Sequence, residues 1–205
     1  MNTSAWRAQE AEENRRLQRI LSRLLKESNF NPTGERPLQL LDIACGECRE
    51  AETLVKVSQE LQPGDKLAPV RLVGTDIRDR EVEDASRRFR SRQDAQFEFL
   101  VEDASKLDRN REMGGEFDLA FIRHQNFWLG ATEWKRIFEQ GMKKLSEDGL
   151  LVITSYFDRE HELATRAIAE AGGELIVTER NLESMELAYP GKSVDRHVAV
   201  FRRKK

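Results

Sequence analysis

The sequence predicts an α/β fold with a doubly wound, mostly parallel sheet, and two observations support it. Short apolar runs alternate with longer stretches rich in Glu, Arg and Lys, which is the pattern of a repeated strand and helix. The apolar runs are nearly continuous in Leu, Val, Ile and Phe, as strands covered by helices on both faces require. A length of 205 residues favours one domain with some decoration.

A long amphipathic helix is expected first, over residues 5–27. The segment contains neither Pro nor Gly, and apolar residues recur in it at helical spacing: Leu17, Ile20, Leu21, Leu24 and Leu25. Asn31-Pro32-Thr33-Gly34 and Pro37 then end the helical pattern. We therefore divide the chain into an N-terminal helix with its linker over 1–36 and a main domain over 37–205.

The alternation after residue 37 predicts the remaining elements in order. Strands are expected at 38–44, 70–75, 97–101, 117–122 and 150–154, and helices at 48–60, 79–92, 105–113, 132–145 and 159–171. Strand-like runs at 175–178 and 197–201 follow without a crossover helix between them. Because parallel neighbours need such a crossover, we expect this last pair to be antiparallel.

Charge and composition exclude several classes of protein. A formal net charge of −3 argues against a nucleic-acid partner bound through a strongly basic surface. The chain has no run of about 18 apolar residues, and its first turns carry no apolar secretion signal. The two cysteines cannot form the framework of a secreted disulfide scaffold. We expect a cytoplasmic protein with no membrane contact.

Polar residues follow the first three strands of the predicted sheet, where ligands of open parallel sheets bind. Gly46 after the first strand permits a tight turn close to an anionic group, although an ordinary turn explains it equally well. Asp76 can accept bonds from two ribose hydroxyls, or cap the next helix. Asp103 can accept an adenine amine beside the small Ala104, or cap a short helix. Together, the polar residues at the ends of these three strands favour a nucleoside ligand.

At these positions the chain resembles the class I S-adenosylmethionine-dependent methyltransferases. The matching segments are Leu41-Asp42-Ile43-Ala44-Cys45-Gly46, Gly74-Thr75-Asp76 and Glu102-Asp103-Ala104, with further landmarks at Phe117-Asp118-Leu119 and Gly149-Leu150-Leu151. The resemblance spans roughly residues 38–203. It implies a seven-stranded sheet with an antiparallel last strand, and S-adenosylmethionine as the cofactor.

The resemblance also implies roles for individual residues. It assigns the turn Ala44–Gly46 to the amino-acid end of the cofactor, Asp76 to the ribose and Asp103 to the adenine. Further expected cofactor contacts adjoin these positions: Asp42, Cys45, Ile77, Ala104 and Arg123. Many family members have three spaced glycines where this chain has Ala44, Gly46 and Cys48. Cys48 should therefore place a side chain where the helix start lies close to the cofactor.

The loop after the fourth strand contains the candidate catalytic residue. Methyl transfer needs alignment of the reactants, and removal of a proton when the acceptor atom carries one. His124 has a suitable unperturbed pKa for this role, although a hydrogen bond across the cleft explains the residue as well. Arg123 is expected to contact the cofactor or an anionic group of the substrate.

These observations predict methyl transfer to a small-molecule acceptor. The first helix and the connection over 181–195 should shape the acceptor pocket, because the connection is unusually apolar: Leu182, Met185, Leu187 and Tyr189. One alternative is a non-catalytic protein that uses the cofactor fold as an interaction module. A nicotinamide-dependent oxidoreductase is disfavoured, since only one glycine of the G-x-G-x-x-G fingerprint is present.

Cys45 and Cys48 form a C-x-x-C motif, which is also typical of redox dithiols. Carboxylates at neighbouring strand ends would raise the pKa of these thiols, which disfavours that function. We expect no metal site, because His124, His161 and His197 are scattered and there is no second cysteine pair.

Overall fold

The computed structural model describes residues 3–32, 36–64 and 67–204. Its strands are β1 (Leu38–Ile43), β2 (Val70–Asp76), β3 (Ala95–Val101), β4 (Phe117–Arg123), β5 (Leu145–Ser155), β6 (Gly173–Arg180), β7 (Met185–Glu186), β8 (Ser193–Val194) and β9 (His197–Arg203). Seven of them form one sheet in the order β3-β2-β1-β4-β5-β9-β6. Strand β9 is antiparallel to both of its neighbours, β5 and β6. The predicted doubly wound fold with an antiparallel last strand is confirmed.

The helices are α1 (Thr3–Glu27), α2 (Ala51–Glu60), α3 (Asp79–Arg88), α4 (Ala131–Lys144) and α5 (Asp158–Glu170). The helix predicted over 105–113 is wrong in type and length, because Ala104–Arg109 is a short 3-10 helix interrupted at Lys106, with φ −139°. Helix α2 begins three residues later than predicted. Cys48 has φ 49°, and an α-helix does not continue through that conformation. No helix in the described ranges is long and apolar enough to cross a membrane.

Helix α1 is part of the hydrophobic core. Its predicted apolar stripe is buried and shares one cluster with α2 and one face of the sheet. Its opposite face carries Arg19 and Arg23, which form ion pairs with Glu183 and Glu179. The part of the predicted linker at 33–35 lies outside the described residues. Helix α1 therefore braces the sheet between the β1 turn and the segment after β6.

The connection over 181–195 contains a structured hairpin. Strands β7 and β8 pair antiparallel, with Met185 opposite Val194 and Glu186 opposite Ser193. Helices α4 and α5 cover the other face of the sheet with a second apolar cluster. These layers leave the carboxyl ends of β1, β2 and β4 to form the floor of a cleft.

Candidate functional site

A cleft of about 470 Å³ opens at the carboxyl ends of the parallel strands. It is lined by α1, the turn after β1, the start of α3, the ends of β4 and β5 and the hairpin: Glu13, Ala44, Cys45, Gly46, Glu47, Arg49, Glu50, Arg78, Glu81, Arg123, His124, Tyr156, Leu187 and Val194. A larger cavity of about 590 Å³ lies at the opposite edge, near Leu38 and Asp118. We assign the site to the smaller cleft, because ligands of such sheets bind where the strands end.

The turn after β1 has an unusual backbone. Ala44, Gly46 and Cys48 have φ values of 56°, 56° and 49°, a left-handed region that favours glycine. The tight turn predicted at Gly46 is therefore confirmed. The position predicted for the Cys48 side chain is wrong, because that side chain is fully buried beneath the turn and its Sγ donates to Asp42 Oδ2 at 2.9 Å.

Asp76 joins the end of β2 to this turn. Its Oδ2 accepts the backbone N–H of Gly46 at 2.7 Å, and its Oδ1 accepts the backbone N–H of Arg78 at 2.9 Å. Burial raises the pKa of Asp76, but the hydrogen bonds from Arg78 and Gly46 outweigh burial and lower it. Helix α3 has Arg78 as its N-cap, so Asp76 does not cap it. Ile77 is 69% exposed beside the cleft mouth.

Asp103 caps the 3-10 helix that follows β3. It accepts the backbone N–H of Ser105 at 3.0 Å and forms an ion pair with Lys106. These contacts lower its pKa to about 2. Ala104 beside it is buried. The capping interpretation is therefore confirmed, whereas a contact between Asp103 and adenine stays a prediction.

Arg123 is the centre of a buried ion-pair network. Its Nε and Nη2 donate to the two carboxylate oxygens of Asp195 at 3.1 and 2.7 Å, and its Nη1 donates to Glu50 at 3.1 Å. Burial raises the pKa of Asp195, but Arg123 and His124 outweigh burial and lower it. Sequence reasoning missed Glu50 and Asp195 as site residues. Glu50 lies within the β1 turn segment, but no sequence pattern connects Asp195 with β4.

His124 lies next to Arg123 with φ 59° and stacks on Tyr156, with ring centroids 3.8 Å apart. Its Nε2 is 2.8 Å from Asp195 Oδ1 and 3.0 Å from the Asp195 backbone nitrogen. Burial lowers the pKa of His124, and the charge of Asp195 opposes this effect without cancelling it. The imidazole is therefore neutral near pH 7, as a general base must be.

The two cysteines are free thiols. Burial raises the pKa of Cys48 well above its usual value. A hydrogen bond with Cys48 lowers the pKa of Cys45, but burial and the charges of Asp42 and Glu50 outweigh it, so the net shift is upward. A redox dithiol needs a stabilised thiolate, so this environment argues against that function.

The sequence matches the family described as methyltransferase domain over residues 35–191. The chain belongs to the methyltransferase domain family. The predicted membership of the class I S-adenosylmethionine-dependent methyltransferases is confirmed by this match and by the fold. A search of curated proteins finds no match.

Solved methyltransferase structures share the fold across most of the chain. A TehB-like methyltransferase from Corynebacterium glutamicum is 19% identical with a TM-score of 0.59, and the match covers 98% of this chain and 95% of that one. Magnesium protoporphyrin IX methyltransferase from Synechocystis, solved with bound S-adenosylmethionine, is 15% identical with a TM-score of 0.63, covering 94% and 80%. The sugar N-methyltransferase KedS8 from Streptoalloteichus is 14% identical with a TM-score of 0.60, covering 92% and 87%. At these identities the likeness shows the fold alone.

Proposed function

We propose that the protein binds S-adenosylmethionine in the 470 Å³ cleft and transfers its methyl group to a small molecule. The observation that carries the proposal is the 2.7 Å hydrogen bond between Gly46 N–H and Asp76, which joins the turn after β1 to the end of β2. The left-handed φ of Gly46, which has no side chain, lets the backbone of the turn approach a ligand in the cleft closely. Asp76 offers carboxylate oxygens to the ribose, and the exposed Ile77 offers an apolar contact to the adenine.

His124, directly after β4, performs the chemistry in this proposal, and Arg123 and Asp195 position it. When bound, S-adenosylmethionine supplies an electrophilic methyl group on a sulfonium. His124 Nε2 faces Asp195, accepting its backbone N–H at 3.0 Å and lying 2.8 Å from its Oδ1. In this proposal the Nε2–H tautomer donates to Oδ1 in place of the bond from the backbone N–H, which leaves the Nδ1 lone pair for a proton of the acceptor. Arg123 fixes Asp195 by two hydrogen bonds, so the carboxylate cannot rotate away from the imidazole. His124 is thereby aligned as the general base.

A small-molecule acceptor is supported by the apolar wall of the cleft. Leu187 and Val194 of the hairpin form an apolar wall, while Leu182 and Tyr189 are exposed. The net charge of −3 supports a partner other than nucleic acid. The two free thiols support a cytoplasmic location, where cysteines stay reduced.

Calorimetric titration with S-adenosylhomocysteine tests the cofactor proposal. We expect saturable binding by the wild-type protein, and a loss of about 2–3 kcal/mol in Asp76→Ala, because two ribose hydroxyls lose their acceptor. Asp79→Ala, an exposed carboxylate at the start of α3, is the matched control and should bind like wild type. Equal binding by Asp76→Ala and wild type would remove Asp76 from the site.

Two alternatives predict different titrations. A nicotinamide-dependent oxidoreductase would bind NAD in preference to S-adenosylhomocysteine. A non-catalytic interaction module would bind neither ligand at hundreds of micromolar. Binding of S-adenosylhomocysteine alone supports the methyltransferase.

A further inference from the structure

We propose that Asp42, Cys45 and Cys48 form a binding site for a thiophilic divalent cation such as Zn²⁺. The three residues lie at the end of β1 and in its turn, and one ligand atom from each lies within 4.8 Å of the others. Two sulfurs and one carboxylate are ligands that Zn²⁺ and Cd²⁺ prefer, whereas Mg²⁺ and Ca²⁺ prefer oxygen alone. The sequence-based expectation of no metal site considered only histidines and cysteines, and so omitted Asp42.

One distance between ligand atoms can be compared with that of a tetrahedral zinc site. Zinc lies about 2.3 Å from sulfur and about 2.0 Å from a carboxylate oxygen, which places ligand atoms about 3.5–3.8 Å apart. Asp42 Oδ2 and Cys48 Sγ are 2.9 Å apart, joined by a hydrogen bond that a metal ion would replace. Formation of the site therefore requires these two atoms to move about 0.6 Å further apart. The left-handed φ of Cys48 is what directs its thiol beneath the turn toward Asp42.

A second and independent observation is the state of Asp42. The side chain is fully buried, and its Oδ1 has no hydrogen-bond partner among the described residues. An unpartnered buried carboxylate oxygen is costly, and a bound cation would satisfy it.

Access to the site is from the cofactor cleft. Cys45 lines that cleft, whereas Asp42 and Cys48 are fully buried behind the turn. An ion would therefore lie on the inner side of the turn, with its fourth position filled by water or by Glu50. Each thiol loses its proton to solvent when the metal–sulfur bond forms.

A Cd²⁺ titration followed by thiolate-to-cadmium absorption tests this proposal. The chain has only two cysteines, both in the cluster, so this band can arise only from the proposed site. We expect the band to saturate at one Cd²⁺ per chain, to bleach on addition of Zn²⁺ and to persist in excess Mg²⁺. Asp42→Asn should lower the Cd²⁺ affinity at least tenfold, because a neutral amide is a poor ligand.

The variants separate the site from ordinary thiol chemistry. Cys45→Ser and Cys48→Ser should each lose at least half of the band intensity, with folding checked by circular dichroism. If Cys48→Ser does not fold, Cys45→Ser alone decides, since that residue is only partly buried. Absence of the band in the wild-type protein at millimolar Cd²⁺ overturns the proposal. An undiminished band in Cys45→Ser, or unchanged affinity in Asp42→Asn, overturns it as well.

Discussion

Replacing Arg78 with alanine should strengthen cofactor binding. A carboxylate offers about four lone-pair positions, and those of Asp76 are all occupied. Oδ1 accepts from the backbone N and the Nε of Arg78 at 2.9 and 3.0 Å. Oδ2 accepts from the Gly46 N at 2.7 Å and from the Arg78 Nη2 at 3.4 Å. The guanidinium therefore holds the two positions that two ribose hydroxyls would need.

The size of the effect follows from the exposure of Arg78. Its side chain is 57% exposed, and exposed ion pairs are worth about 0–1 kcal/mol. The guanidinium also keeps a second partner, Glu81 at 2.9 Å, after it leaves Asp76. Displacing it should therefore cost no more than about 1 kcal/mol, which corresponds to about fivefold in affinity.

Calorimetry with S-adenosylhomocysteine measures this effect. We expect the Kd of Arg78→Ala to fall about three- to fivefold below that of wild type. Arg80→Ala removes an exposed arginine from the same helix without touching Asp76, and it should bind like wild type. Weaker binding by Arg78→Ala would show that Arg78 holds the cofactor, and the competition argument would be refuted.

Four other changes have defined outcomes. Asp103→Ala should weaken S-adenosylhomocysteine binding less than Asp76→Ala does by calorimetry, because adenine also gains from apolar contact; a larger loss would show that Asp103 makes the stronger contact with the cofactor. With an acceptor found by screening for labelled methyl transfer, His124→Asn should lower turnover by about 10²–10⁴-fold at unchanged cofactor affinity, and an unchanged rate would make His124 structural. Burial lowers the pKa of His161 to about 4, whereas the pKa in the unfolded chain is about 6.5. Because the unfolded state therefore binds more protons between these values, the free energy of unfolding decreases as the pH is lowered below about 6.5. By urea unfolding, His161 should contribute a loss of about 2 kcal/mol between pH 7.5 and pH 5, and the loss in His161→Gln should be smaller than that in wild type by about this amount. Leu21→Ala should cost about 2–5 kcal/mol in the same assay, since Leu21 is 1% exposed, and a cost below 1 kcal/mol would contradict core packing of α1.

The sheet could be predicted because its strands are set by local apolar patterns. Each of the seven strand runs recurs in the structure within a few residues, and the missing crossover before residue 197 correctly indicated the antiparallel pair. The hairpin of β7 and β8 was missed, because two-residue strands carry no periodicity. The start of α2 was placed too early, since a left-handed residue such as Cys48 leaves no signal unless it is glycine.

The sequence indicated which strand ends would bind the cofactor, but it did not indicate which residues pair with one another there. Gly46 and Asp76 were expected near one ligand, and they are hydrogen bonded to each other. Arg123 and Asp195 are 72 positions apart, and the sequence alone does not show which carboxylate forms an ion pair with a given arginine. Arg123 was expected to contact a ligand, whereas its charge is directed at two protein carboxylates.

A crystal structure of the protein with S-adenosylhomocysteine would show whether the cofactor occupies the cleft at the strand ends. We predict density for the ligand in the cleft between Gly46 and His124, with the ribose hydroxyls on Asp76 and the Arg78 guanidinium displaced toward Glu81. Ligand density in the larger cavity near Asp118, or an empty cleft at saturating ligand, would contradict the account.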